Sequence, residues 1–395
     1  MFHLTVWRCF FHVLALALFL IGHGPAHTFA DEAAAKRVLG PLAKGLKVGP
    51  KMDASGRILR RCVFVGLDLR GANFDGADLG GCEIYQCDLR GASFKAAVLT
   101  GLLWGDCELE GADFTDAVIN GYKHVYSVPD GIRFTEEQFV STWNYKTKRL
   151  RDCIIAIKSK SRDSWAKPRF DFRNAQLNGA LFCSPDLSEC DFTDASIGGM
   201  GVNGGIIPFE KIASTQSYAR RNLRGVGFGG ITVTDRWDLS GVDLTGASFV
   251  GHGVLADADL TNANISECDF RCSVTKEQLF STRNYREGRL LNLQIYYRNF
   301  SGADFSGMNL TGCRFGSADF AGASFEDAVI TDVDFCHSPL HPCKNLTPAQ
   351  IKSTWNYKHG RMAGIRLPEK LAKALKEEEE KRKETPAEVD VEAEE

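Results

Sequence analysis

The chain has 395 residues, with 47 Lys and Arg against 50 Asp and Glu, and a formal net charge of -3. Hydrophobic residues make up 44% and charged residues 25%, an ordinary globular balance. This excludes a wholly disordered chain, a multi-span membrane protein and a generally basic nucleic-acid binder. Length alone suggests two or three domains, and 39 Gly and 26 Phe are in excess.

Residues 1–30 read as a signal peptide. Arg8 precedes an apolar run from Cys9 to Gly22, shorter than a membrane span. Thr28 and Ala30 are small residues placed for signal-peptidase cleavage before Asp31. Cleavage predicts a periplasmic or extracellular protein with no transmembrane segment left. Losing Arg8 takes the net charge from -3 to -4.

From Cys62 to Gly121 the sequence divides into blocks of five. The central residues run Phe64, Leu69, Phe74, Leu79, Ile84, Leu89, Phe94 and onward to Ile119. A small or apolar residue stands two positions before each centre, as Ala72, Ala77 and Ala92 do. A period of five fits neither a helix nor a flat strand. It requires a turn after every block, so four blocks close a 20-residue coil. Coils then stack at about 4.8 Å, with ladders such as Phe74, Phe94 and Phe114 inside. Residues 31–56 are expected to cap the first coil, because an open solenoid end exposes a sheet edge.

The run Ala72-Asn73-Phe74-Asp75-Gly76-Ala77-Asp78-Leu79 resembles the signature of pentapeptide-repeat proteins. That resemblance implies an all-β solenoid, a right-handed quadrilateral β-helix, with short α insertions and flanking N- and C-terminal helices. Coils are expected over 57–133, 170–206, 221–273 and 289–337. Family members that protect a topoisomerase by imitating DNA are a poor parallel, since residues 31–368 carry a net charge of +1.

A longer period interrupts the coils. Ser141-Thr142-Trp143-Asn144-Tyr145 recurs at Ser281–Tyr285 and Ser353–Tyr357, and in divergent form at Ser214–Tyr218. Capping boxes precede three copies, at Thr135/Gln138, Thr275/Gln278 and Thr347/Gln350. Each copy predicts a helix of about ten residues. The insertions span 134–169, 207–220 and 274–288, with a loop and helical module at 338–368. This larger unit also resembles modules of exported bacterial members of the family. Trp143, Tyr145, Trp355 and Tyr357 are expected to pack on the scaffold, with ligand binding as the alternative.

Two charged segments depart from the pattern. Lys146 to Arg169 holds nine basic and two acidic residues. Within it Lys158, Lys160, Arg162, Trp165, Lys167 and Arg169 form the candidate binding site, suited to an anionic polymer, a membrane surface or an acidic protein. Residues 369–395 begin as a charged helix and end in an acidic tail expected to be disordered.

Cys62/Cys82 and Cys87/Cys107 stand 20 apart and are expected as buried thiols. Cys336 and Cys343 are expected to close their loop as a disulfide, with free thiols, and a metal site with His337 and His341, as the alternatives. Asp68, Asp88 and Glu108 should form an outward ladder neutralised by Arg70 and Arg90. No catalytic constellation and no cofactor motif is found. The sequence therefore predicts a non-catalytic exported scaffold binding protein or polysaccharide, with no nucleic-acid partner. The alternatives are a polysaccharide-acting β-helix enzyme and a metal- or redox-responsive envelope protein.

Overall fold

A chain that turns after every fifth residue has room for only about three residues of strand between corners. The computed structural model of the protein describes residues 37–40, 44–121, 134–157, 166–183, 185–233, 235–251, 255, 257–271, 274–336 and 342–384. Residues 1–30, expected to be a signal peptide, and the end of the acidic tail lie outside them.

Each 20-residue coil gives one rung to each of four parallel ladders. Val63 pairs with Glu83, Asp68 with Asp88, Asn73 with Ser93, and Asp78 with Val98. The four faces are named here by their first inward residues: Phe64, Leu69, Phe74 and Leu79. Strand hydrogen bonding is longest on the Phe64 face. There β1 (Arg37–Leu39), β2 (Val63–Val65), β3 (Glu83–Tyr85) and β4 (Leu103–Gly105) form one sheet.

The first helical pair follows, α1 (Glu136–Ser141) and α2 (Trp143–Lys146). Next come β5 (Ile154–Ala156), β6 (Leu181–Cys183) and β7 (Gly201–Asn203). The second pair is α3 (Phe209–Ala213) and α4 (Gln216–Ala219), followed by β8 (Gly227–Gly229) and β9 (Ser248–Val250). β5 to β9 form the second sheet. The third pair is α5 (Lys276–Ser281) and α6 (Arg283–Arg286), and the fourth is α7 (Pro348–Lys352) and α8 (Trp355–Lys358). The last helix is α9 (Glu369–Glu384).

The helical pairs do not break the stack. The turn after the Leu79 face forms one column of backbone bonds through every insertion. Gly101 donates to Asn120, Gly121 to Asp152, Asp152 to Asn178, Gly179 to Gly198 and Gly199 to Arg224. The column continues through Gly225, Gly246, Glu267 and Asn292 to Gly312, which donates to Thr331. Its members keep a left-handed backbone even where they are not glycine, at Asp152 (φ 56), Glu267 (φ 63) and Asn292 (φ 55). Successive pairs enter at the same edge, each separated from the next by three coils.

Inward centres and small residues are buried along most of the described column, Cys107 and Val233 being half-buried. Phe74, Phe94 and Phe114 stack at 5.0 Å with nearly parallel rings. Phe134 then meets Phe114 edge-on, also at 5.0 Å, where the first insertion begins.

Three expectations need correction. Each insertion is two short helices rather than one of about ten residues. Thr142, at φ -66 and ψ 151, ends α1 and caps α2, and Thr282 does the same between α5 and α6. An extended residue cannot continue a helix, but its hydroxyl serves the next N-terminus. Second, the described residues at the N-terminal end carry β1 rather than a helix. β1 pairs antiparallel to β2, Arg37 opposite Val65, and so meets the edge hydrogen-bonding groups that a helix would leave open. Third, the basic segment after α2 is not one loop. Leu150, Cys153 and Ile155 are buried as a regular coil.

At the C-terminal end α9 covers the last coil with Leu371 and Leu375, both buried. Glu378 pairs with Lys352, and Glu379 accepts from the Tyr357 hydroxyl at 2.8 Å.

Candidate functional site

The insertion motif is built from polar side chains that replace backbone partners. The Thr135 hydroxyl accepts from Gln138 N at 3.1 Å, and Gln138 Oε1 accepts from Thr135 N at 2.9 Å. Gln138 Nε2 then donates to the carbonyls of Leu109 at 2.9 Å and Ala112 at 3.0 Å. Gln278 and Gln350 repeat this against Leu255 and Ala258, and against Phe320 and Ala323. The second insertion has Lys211 in place of the glutamine and no side-chain cap at Pro208. There the Asp235 carboxylate accepts from Phe209 N at 2.9 Å.

The tyrosines are structural. The Tyr145 hydroxyl accepts from Asp171 N at 2.9 Å, and those of Tyr218 and Tyr285 donate to the carbonyls of Asp238 and Asp304. Trp143 and Trp355 are half-buried. Arg149 lies over the Trp143 ring at 5.7 Å and Arg361 over Trp355 at 5.2 Å. The asparagine of the motif escaped the sequence reading, which attended to its aromatic neighbours. Its recurrence at positions 144, 284 and 356 was the available signal.

The outward acidic ladder is neutralised as expected. Arg70 grips Asp68 through two bonds of 2.9 and 2.7 Å, and Arg90 grips Asp88 likewise. The Arg70 guanidinium holds the Asp68 carboxyl down at about 2, and Arg90 lowers Asp88. On the Phe74 face, Asp113, Asp191, Asp238, Asp259 and Asp304 each accept the backbone N–H two residues on. Hydroxyl groups at Thr115, Thr193, Ser240, Thr261 and Ser306 lower these carboxyls further. Among the described residues every carboxylate with a resolved shift is lowered.

Of the candidate binding residues, Lys158, Lys160, Arg162 and Trp165 lie outside the described residues. Lys167 and Arg169 are described. Each approaches Glu189 at 3.3 Å, and Lys167 also stands 3.8 Å from Asp186. These two are therefore partly neutralised by the neighbouring coil.

Among the described residues the cysteines are unbridged, so the disulfide expected between Cys336 and Cys343 is not formed in the structure. Cys343 is buried and its thiol donates to the Phe315 carbonyl, whereas Cys336 is half-buried. His337 and His341 lie outside the described residues, and no metal-ligand cluster occurs among the described ones. Burial pushes Cys82, Cys153, Cys190 and Cys313 up to about 12.

The sequence profile described as Pentapeptide repeats matches eight copies, at residues 58–91, 238–271 and 299–335. These are the coils whose five-residue rungs are described above. Over these three stretches the chain consists of pentapeptide repeats. Among solved structures, a trypsin-treated form of QnrB1, a plasmid-mediated fluoroquinolone resistance protein, is 18% identical. That match covers 63% of this chain and 88% of QnrB1, with a TM-score of 0.20. HetL, a pentapeptide-repeat protein of heterocyst differentiation regulation from the cyanobacterium Nostoc, is 16% identical. It covers 74% of this chain and 91% of its own, with a TM-score of 0.14. No curated protein matches the chain in sequence. Among the described residues, no helix is long and apolar enough to cross a membrane.

Proposed function

We propose that this protein is a non-catalytic scaffold that binds a protein or polysaccharide across the flat faces of a right-handed quadrilateral β-helix. The observation that carries the reading is the fate of its carboxylates. Among the described residues they are spread along the ladders, those with a resolved shift are lowered, and arginines, hydroxyls and turn N–H groups occupy several of them. Hydrolysis of a glycosidic bond needs one carboxyl held protonated near neutral pH. A rigid solenoid with nearly flat faces suits binding instead.

Export to the periplasm or exterior belongs to the same proposal and rests on the apolar run and small residues of 1–30. The basic segment with Lys158, Lys160, Arg162 and Trp165 is the second contact proposed, for an anionic partner. Capture from the native envelope fraction on immobilised full-length protein tests the reading. A retained protein or polysaccharide that Lys158→Glu, Lys160→Glu and Arg162→Glu weaken is expected. Sugar release from any envelope polysaccharide would overturn the non-catalytic reading, and an intact Met1 on mature protein would overturn export.

A further inference from the structure

The four faces do not share one surface chemistry. Aspartates dominate the outward positions of the Phe74 face, at Asp113, Asp171, Asp191, Asp238, Asp259 and Asp304. The Leu79 face beside it differs. From the first insertion onward its outward side chains are mostly amides, hydroxyls and arginines, among them Gln176 and Asn178, Ser196, Asn264 and Ser266, Asn309 and Thr311, with Leu291, Val329 and Ala363 as the apolar exceptions. Asp243 is the acid at these outward positions, and Arg224 pairs it at 3.1 Å. Further acids, Asp152, Glu267 and Asp332, stand at the turn that ends the face.

The arginines on this face keep a period. Arg149, Arg289 and Arg361 take the same place, five residues after the motif asparagines Asn144, Asn284 and Asn356. The second insertion has Asn222 there and Arg224 two residues later. Rungs thus recur every three coils, about 14 Å apart at the usual strand spacing. The row from Arg149 to Arg361 spans nine coils, about 43 Å. All four arginines, and Arg151 beside the first, are exposed. No carboxylate pairs Arg149, Arg151, Arg289 or Arg361 among the described residues. At both ends of the row a tryptophan ring lies against the guanidinium and restricts its orientation.

We infer that the Leu79 face is the docking surface for an extended acidic polysaccharide, one whose uronate carboxylates meet the arginine rungs and whose hydroxyls meet the amides between them. This rests on the scaffold reading above and names its ligand class and face. Charge complementarity carries the choice. A guanidinium presents two parallel N–H groups to a planar carboxylate. Neutral donors and acceptors between the rungs suit sugar hydroxyls, whereas a nucleic acid would demand denser positive charge and stacking surfaces for its bases. A linear row with a repeat favours a linear polymer over a compact protein.

The test uses full-length protein, polygalacturonate as probe and neutral dextran as control, followed by calorimetry at low and high salt. Binding of polygalacturonate and not of dextran is expected, weakening as salt screens the rungs. The variant Arg149→Glu/Arg151→Glu/Arg289→Glu should bind roughly tenfold more weakly or worse, with an unchanged circular dichroism spectrum. Arg173→Glu, on the Phe74 face, should bind as the parent does. A folded triple variant with undiminished affinity overturns the assignment of the face. Equal binding of dextran, or none of polygalacturonate, overturns the ligand class. Either result leaves the scaffold reading standing if envelope capture still retains a partner. If the triple variant misfolds, Arg289→Gln alone, expected to weaken binding severalfold, decides in its place.

Discussion

Asn144 Oδ1 accepts the backbone N–H of Ile119 at 2.8 Å. Elsewhere on this column the acceptor is a carbonyl of the next coil, as when Leu99 donates to Val118. Every third coil has a helical pair in that place, and a side-chain oxygen stands in: Asn284 for Ile265, Asn356 for Ile330 and Ser217 Oγ for Ile197. The solenoid accepts insertions because this substitution leaves no buried N–H without a partner.

Removing that oxygen should be costly. Asn144→Ala orphans the buried Ile119 N–H and the Arg149 carbonyl, which Asn144 Nδ2 meets at 2.8 Å. A loss of about 1–3 kcal/mol is expected, read from urea denaturation. Asn144→Ser should lose less, since serine serves at position 217.

Two glycines of the same turn column should respond differently to alanine. Gly179 and Gly246 share φ near 71. A Cβ at Gly179 would fall on Asp152 Oδ1, whereas one at Gly246 would meet nothing within 4 Å. Both substitutions strain a left-handed backbone, costing about 1 kcal/mol. Gly179→Ala should lower the melting temperature further, and Asp152→Gly should remove the difference.

Acid should weaken the stack in a defined window. The folded carboxyls of Asp68, Asp88 and Asp113 are lowered by the arginine or hydroxyl beside them. Their stabilisation is therefore complete above the unfolded value of about 3.9 and is lost as pH falls through the folded values, about 2 for Asp68. Denaturation midpoints measured from pH 6 downward should hold steady and then fall below about pH 4. Arg70→Gln should flatten part of that fall. A midpoint independent of acid would contradict the assignment.

The thiols should separate by exposure. Cys107, Cys183 and Cys336 are half-buried, while Cys82, Cys153, Cys190 and Cys313 are buried. Burial keeps the latter protonated at neutral pH, and the thiolate is the reactive form. Iodoacetamide without reductant should label Cys183 and Cys336 slowly in the native protein, and the second group, together with Cys107, whose thiol is pushed up by Cys87 and by burial, only in denaturant. Intact mass should not change on reduction, Cys336 and Cys343 included.

Much of this architecture was legible in the sequence, because five-residue spacing and burial are locked together. Phe74, Phe94 and Phe114 could be placed in one ladder from their spacing of 20 alone, and Asp68 with Arg70 on one face from their parity. The capping boxes at Thr135, Thr275 and Thr347 were equally local. The rest depends on contacts distant in sequence. Nothing near Gln138 reveals that its amide serves Leu109 and Ala112, and nothing near Phe209 reveals that Asp235 caps it. The arginine row was illegible for the same reason. Arg149, Arg224, Arg289 and Arg361 fall into line only once insertions of unequal length are set to the same edge.

The central structural claim is one unbroken solenoid with its helical pairs on a single edge. Thr147 and His359 cap equivalent helices of the first and last pairs, and both are exposed. Spin labels carried there on unnatural side chains, which leave the native cysteines untouched, report their separation by pulsed electron resonance. Nine coils predict a single narrow distribution near about 43 Å. A broad distribution, or a distance well short of that value, would mean that the insertions bend the chain into separate stacks and would contradict the account.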